Sequence, residues 1–299
     1  MPSSLGPVAT MSALTNSRQH PRLFIFTHPR TASNLFMRLF ENHPDLSITD
    51  YTFFQAYTSG PECLSPGRSL QTLAQSGRLT PDATYQNGFN QLQKFIADAE
   101  AAGKIPFIKE HLLFIIDPQI AAANVKCLPN GTPYVPNARP TIEDSTSVLD
   151  KSISLPANPT VLSNDFLTTF SPVILIRHPA KIIPSVYRAS RDAFGVTAFD
   201  ADFPVSTSLR WLRLIFEWYE VYYRISKTKQ RPIVIDADDM INDSRNIAEK
   251  LCAITGLDPK HVQYSWGEAT GECKENIAIF TSTLRNSTGI IRGDQVSIS

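Results

Sequence analysis

Apolar residues fall along the chain in short runs that alternate with stretches of helical spacing. Leu23 to Phe26 is an apolar run of strand formers, short enough for a buried parallel strand. Ser33 and Asn34 then suit the mouth of a helix, in which Leu35, Phe36, Leu39 and Phe40 recur at helical intervals. Leu46 to Tyr51 reads as a second strand, and residues 52–82, rich in Gly, Pro, Ser and Thr, as loop with one short helix. Phe89, Leu92, Phe95, Ile96 and Ala99 define an amphipathic helix over Tyr85 to Ala102, closed by Gly103. Ile105 to His111 and Pro172 to Ile176 are further buried strands, and the second leads into a helix over Ala180 to Arg191. Residues 206–228 carry the strongest amphipathic pattern, through Leu209, Leu212, Ile215, Phe216, Tyr219, Tyr222 and Tyr223. Pro232 to Asp236 predicts a last strand, and Ser244 to Thr255 a helix ended by Gly256.

Strands alternating with helices predict an α/β fold: a doubly wound, central parallel sheet flanked by helices, with ligands at the carboxyl ends of the strands. Two stretches depart from this rhythm. Residues 1–21 mix Ser, Pro, Thr and Asn with small apolar residues and are expected to form a disordered tail without a signal-peptide core. Residues 117–165 carry seven prolines (Pro118, Pro129, Pro133, Pro136, Pro140, Pro156 and Pro159) among Asn, Ser, Thr and Asp. A segment of that length is expected to be a poorly ordered insertion or a functional lid, with a short helix at Asn164–Leu167. The region from Asn276 to Ser299 is only weakly regular.

Charge narrows the chemistry. Lys plus Arg and Asp plus Glu both number 28 in 299 residues, so no global field favours nucleic acid or a membrane surface, and any anion site must be local. No run is long enough for a membrane span. Cys63, Cys127, Cys252 and Cys273 are scattered with no C-x-x-C pair, which suits free thiols in a reducing, cytoplasmic setting and argues against structural zinc.

Three predicted strand ends carry unusual residues. The first is His28-Pro-Arg-Thr-Ala-Ser-Asn34, a strand–loop–helix whose helix N-terminus offers unpaired N–H groups to an anion. It lacks the glycines and lysine of a nucleotide-triphosphatase loop. The second is Lys109-Glu-His111-Leu112; on a strand Lys109 and His111 face one side and Glu110 the other. His111 suits a general base, since an imidazole titrates near neutrality. The third is Arg177-His-Pro followed by Ser185, a guanidinium fork and a hydroxyl that suit one phosphate. Each has a plainer reading: Arg30 as a surface cation, His111 as a hydrogen-bonded core residue, Arg177 in a structural ion pair. Asp236, Asp238 and Asp239 read as a capping turn, with no metal called for.

Taken together, these motifs resemble the sulfotransferases that use 3′-phosphoadenosine-5′-phosphosulfate (PAPS), in particular a fungal sulfotransferase-like branch. The 5′-phosphosulfate loop P-[KR]-S-G-T-[ST] is matched by Pro29-Arg-Thr-Ala-Ser-Asn34, the K-x-H-L strand by Lys109, His111 and Leu112, and the 3′-phosphate motif by Arg177, Pro179 and Ser185. Ile233 to Met240 resembles the strand ending in Y-E-D-[LM]. The resemblance implies one sulfotransferase-like domain over 22–299, related to P-loop nucleotide-binding folds. It implies sulfuryl transfer from PAPS to a hydroxyl or amine of a small molecule, with adenosine 3′,5′-bisphosphate (PAP) as the other product. Arg30, Thr31, Ala32, Ser33 and Asn34 would hold the 5′ end, Arg177 and Ser185 the 3′-phosphate, and Arg285 or Arg292 would add an outer phosphate contact. Lys109 would steady the sulfuryl oxygens. Ala32 stands where the family has glycine, so it keeps the small size but loses a residue at ease with positive φ. Asn34 replaces a hydroxyl. Phe53, Phe54, Tyr57 and Phe194 are either an aromatic wall for a phenol or fused-ring acceptor, or simply core. A scaffold redirected to another tailoring reaction, or a non-catalytic nucleotide-binding protein, are the alternatives.

Overall fold

The structure, a computed structural model, describes residues 21–66, 70–125, 127, 131–149, 154–267 and 284–292. The expected N-terminal tail up to His20, Cys273 and most of 276–299 lie outside the described residues.

Five strands form the expected parallel sheet: β1 (Arg22–Thr27), β2 (Leu46–Asp50), β3 (Ile105–His111), β4 (Phe170–Ile176) and β5 (Ile233–Asp236). Their order is β2-β3-β1-β4-β5, with every pairing parallel. The first strand in sequence is therefore the middle strand in space. The chain winds outward from it to β2 and back to β3 on one side, then crosses to β4 and β5 on the other. The carboxyl end of β1 lies at that crossover, where open α/β sheets bind ligands. Register brings Thr27 opposite His111 and Ile25 opposite Lys109, so the first and second sequence motifs meet.

Alternation along each strand sorts the core into two layers. Leu23 and Ile25 of β1, Phe107 of β3, and Val173 and Leu175 of β4 pack against α1 (Ser33–Phe40). Phe24, Phe26, Ile108 and Ile174 face the opposite layer. That second layer holds α2 (Phe54–Ser59), then, beyond the short α3 (Leu70–Gln75), α4 (Tyr85–Ala101), α5 (Pro118–Asn124) and α6 (Asn164–Thr168). After α7 (Pro179–Phe194) it is completed by α8 (Asp202–Ser206) and α9 (Arg210–Ile225). The last helices, α10 (Ala237–Asn242) and α11 (Ser244–Thr255), return to the α1 side. Among the described residues no helix is long and apolar enough to cross a membrane.

Two expectations change. The predicted helix over 206–228 is present as α9 but starts later, at Arg210: Thr207 Oγ1 donates to the Phe203 carbonyl and Trp211 Nε1 to the Val205 carbonyl, closing the short preceding α8 before α9 begins. The buried face of α9 includes Trp211 and Trp218, both about fully enclosed, beside Ile215 and Tyr219. The Pro-rich stretch is irregular, yet its described residues are tied to the body. Asp117 pairs with Arg139, Asp165 accepts the N–H groups of Val148 and Leu149, and the N–H of Glu143 donates to Gln86 on α4. Carboxylates and amides here supply the backbone partners that a strand ladder would otherwise provide.

Candidate active site

The turn after β1 is compact and almost wholly committed to internal bonds. Thr31 is buried, and its hydroxyl donates to the His28 carbonyl at 2.7 Å, closing the loop. Arg30 and Ala32 both take left-handed backbone conformations, with φ of 71° and 55°. The absence of glycine therefore does not remove the positive-φ position expected to be lost: the alanine adopts it and carries the strain. The Thr31 N–H is itself committed to the His28 carbonyl at 3.3 Å, and α1 begins directly afterwards with first-turn N–H groups that have no partner within the helix, a candidate anion nest at the loop–helix junction. Relief of the left-handed alanine gives a measurable consequence. Ala32→Gly is expected to raise unfolding free energy by about 0.5–1 kcal/mol in urea titrations.

Arg30 turns its guanidinium toward α7, where Nε donates to Ser185 Oγ at 2.8 Å. Arg177, at the end of β4, donates from a terminal nitrogen to the Arg30 carbonyl at 3.2 Å. Its Nε pairs with Asp238 at 3.2 Å, and Lys181 meets the other oxygen of that carboxylate at 3.0 Å. Burial pushes the Asp238 carboxyl up, but hydrogen bonds from Lys181 and Arg177 outweigh it and hold the group below the usual carboxylate range. Burial, followed by the proximity of Arg177 and Arg188, makes the Arg30 cation harder to keep. Three guanidiniums thus crowd beside the nest, and a doubly charged anion there would offset their repulsion. The ion pair foreseen as the plainer reading of Arg177 exists, and it orients the fork toward the loop. Lys181 and Arg188 were not singled out from the sequence, although with Ser185 they share one helical face at intervals of four and three.

His178, on the same turn, caps α7 by accepting the Ala180 N–H at 3.2 Å. Asp236 caps α10 through the Asp238 N–H at 2.8 Å.

On β3 the side chains split as alternation dictates. Lys109 is fully buried, with Nζ 2.7 Å from Asn34 Oδ1, 3.0 Å from Asp50 Oδ2 and 3.9 Å above the Tyr51 ring centroid. The asparagine that departs from the motif is thus the acceptor that holds Lys109 against the loop after β1, a bond requiring an oxygen with free lone pairs. His111 is 9% exposed. Its Nδ1 lies 2.6 Å from Thr27 Oγ1, whose own proton goes to the Glu110 carbonyl at 3.1 Å. Thr27 must then accept from Nδ1–H, leaving the lone pair on Nε2, where the Tyr51 hydroxyl lies at 3.1 Å. Burial first, then the charges of Lys109 and His28, hold the His111 imidazole well below its ordinary 6.5, so it is neutral and able to accept a proton. His28 is also buried and lowered to about 4 by desolvation; its Nδ1 contacts the Pro29 carbonyl at 2.8 Å. Its Nε2 makes no well-formed hydrogen bond, although the Ser206 backbone lies close enough to raise its basicity slightly.

Glu110 points into the opposite layer, accepting the N–H groups of Phe53 and His111, each at 3.1 Å. Burial pushes its carboxyl up to about 8 against those two bonds. The native state therefore keeps a proton that the unfolded chain releases above about 4.5, so this group makes stability fall as pH rises toward about 8. His28 acts oppositely, adding stability as pH rises from about 4 to 6.5. Between pH 6.5 and 8 the Glu110 contribution should stand alone. Thermal denaturation is expected to show declining Tm over that window in the wild type and a flat profile in Glu110→Gln.

No family model matches the chain. Sulfotransferase ppzF of Metarhizium majus (strain ARSEF 297) is 29% identical over 295 residues, covering 92% of this chain and 84% of the relative. Sulfotransferase ppzF of Metarhizium rileyi (strain RCEF 4871) is 29% identical over 289 residues, covering 90% and 82%. Over most of its length the chain is similar to these fungal sulfotransferases. Among solved structures, mouse sulfotransferase SULT7A1 complexed with PAP is similar over 93% of this chain and 79% of that one, at 12% identity and a TM-score of 0.39.

In this sulfotransferase-like chain, Arg30, Thr31, Ala32, Ser33, Asn34, Lys109, His111, Arg177 and Ser185 all lie at the carboxyl edge of β1, β3 and β4. Arg285 and Arg292 lie on a segment fastened to residues 265 and 266: Trp266 Nε1 donates to the Ser287 carbonyl, and Ser265 bridges Gly289. The Arg38 guanidinium sits 5.8 Å from the Trp266 ring, on the α1 side. The aromatic wall is also redistributed. Phe53 is core, stacked on Tyr85 at 5.6 Å, whereas Phe54 and Tyr57 pack on Phe114, itself 5.3 Å from His111. Phe194 is exposed at the end of α7. Tyr51, Phe114 and Thr27 surround the histidine without any local sequence signal beyond proximity to strand ends.

Proposed function

We propose that this protein, with residues 22–299 as one sulfotransferase-like domain, transfers a sulfuryl group from PAPS to a hydroxyl or amine of a small molecule, with His111 as general base. The observation that carries this reading is the convergence at one sheet edge of a cationic group beside the anion nest (Arg30 with Ser185, and Arg177) and a neutral histidine whose Nε2 lone pair meets the Tyr51 hydroxyl. PAPS would supply the sulfuryl group and a phosphate leaving group. The residues 31–34 loop and Arg30 suit the 5′ end, and Arg177 with Ser185 the 3′-phosphate, with Arg285 and Arg292 as outer contacts.

The chain's own contribution is positioning and charge. The Thr27 relay fixes the His111 tautomer, so Nε2 takes the acceptor proton as its oxygen or nitrogen becomes nucleophilic. Lys109, held by Asn34 and Asp50, keeps an ammonium beside that point without rotational freedom, which suits it to developing negative charge on sulfuryl oxygens. Buried aromatic neighbours exclude water that would otherwise compete as acceptor.

Two measurements test the reading. PAP should raise Tm, by an amount corresponding to about 2.7 kcal/mol at a hundredfold excess over Kd. A panel of phenols, alcohols and amines incubated with labelled PAPS should then yield at least one product heavier by one sulfuryl group. Absence of any PAP-induced shift at millimolar ligand would remove the donor assignment. A shift with a product lacking sulfate would instead mark a redirected scaffold.

A further inference from the structure

Tyr51 follows β2 with φ of 52°, a left-handed conformation unusual for a side chain of this size. The backbone is held there by its N–H donating to the Lys109 carbonyl at 3.0 Å and by the Phe54 N–H donating to the Tyr51 carbonyl at 3.2 Å. The outcome is a phenol swung inward to the point where the two halves of the site meet. Its hydroxyl lies 3.1 Å from His111 Nε2 and 3.4 Å from Asn34 Oδ1, with Ser33 also in hydrogen-bonding reach. The Lys109 ammonium sits over its ring, and the phenol lies within electrostatic reach of Arg30.

Those are the attributes of an acceptor: a nucleophilic oxygen on the base's lone pair, beside a fixed ammonium, at the mouth of the anion loop. We propose that Tyr51 is itself a sulfuryl acceptor, so that the protein sulfates its own Tyr51 hydroxyl when PAPS is present and no acceptor occupies the cleft. This rests on the donor reading above. In the step, a new bond forms between Tyr51 Oη and sulfur as the bond from sulfur to the 5′-phosphate oxygen breaks. The electron pair leaves with PAP, and the phenolic proton moves to His111 Nε2. No oxidant or metal is consumed. Burial holds the phenol neutral despite the neighbouring Lys109, which is why its proton needs the histidine rather than being lost to solvent beforehand. The product is an aryl sulfate whose negative charge stays beside Lys109, and it covers the base, so the modification closes the acceptor seat.

The test incubates the full chain with PAPS alone, digests it and reads the peptide containing Tyr51 by mass and by radiolabelled sulfate. One added sulfuryl group is expected on Tyr51 in the wild type. None is expected there in Tyr51→Phe, and labelling should fall at least about tenfold in His111→Gln. A PAP-induced thermal shift is measured on all three proteins and should be retained in each. An unlabelled Tyr51 in wild-type protein that shows the PAP shift overturns self-sulfation and leaves the donor reading intact. Equal labelling in wild type and His111→Gln also overturns it, because the chemistry would not then use the base. Loss of the PAP shift in the wild type removes the donor reading and this inference with it.

Discussion

Replacement of His111 by alanine is expected to slow sulfuryl transfer by about 10²–10⁴-fold, the range associated with loss of a positioned general base, while PAP binding is retained. The separation follows from where the side chain sits. His111 contacts Thr27 and Tyr51, not the Arg30–Ser185–Arg177 group that faces the anion nest. The pH profile provides a second signature. Because burial and nearby cations hold the imidazole well below 6.5, kcat/KM, which reports the free enzyme, should stay level through neutrality and down past pH 6.5 before its acid limb begins. Rates measured with any acceptor found in the screen would decide this. Full activity in His111→Ala would exclude the histidine as base.

Arg177→Ala is expected to weaken PAP binding by about 10- to 150-fold, corresponding to the roughly 1.5–3 kcal/mol of a charge-assisted hydrogen bond. The variant removes a cation from the nest and also the tether between β4 and the Arg30 carbonyl, so Arg30 loses part of its placement. Asp238 keeps Lys181 as partner, which limits the accompanying loss of stability. Ser185→Ala should have a smaller effect, since it removes one neutral hydroxyl from the Arg30 Nε. Isothermal titration with PAP distinguishes the two variants, and undiminished affinity in Arg177→Ala would move the 3′-phosphate elsewhere.

Both expectations depend on pairings that the linear chain suggests only in part. Lys109 and His111 share a strand face because side chains alternate, a rule readable without coordinates, and Glu110 duly points into the other layer. Arg30 and Ser185 are 155 positions apart, and their hydrogen bond exists because β4 is the neighbour of β1 in the sheet. Asn34 looked like a weakened copy of a hydroxyl residue. With Lys109 beside it across the sheet edge, its amide oxygen becomes the better partner for an ammonium. Ala32 shows the limit of inferring backbone shape from residue type: the energy penalty of left-handed alanine is small enough for surrounding bonds to impose the turn. Tyr51 was invisible as a site residue, because a tyrosine at a strand end is ordinary until a positive φ and a long-range bond turn it toward His111.

By itself the amino-acid sequence determined the alternation of strands and helices, the three chemically unusual strand ends and the family they resemble. These follow from local periodicity, short-range turn chemistry and side-chain type. Tertiary structure decided the sheet order, the crowding of Arg30, Arg177 and Arg188, the tautomer of His111 through Thr27, and the entry of Tyr51 into the site. These depend on residues distant in the chain being held within hydrogen-bonding or Coulombic reach, and only the packing of two helical layers on one twisted sheet sets those distances.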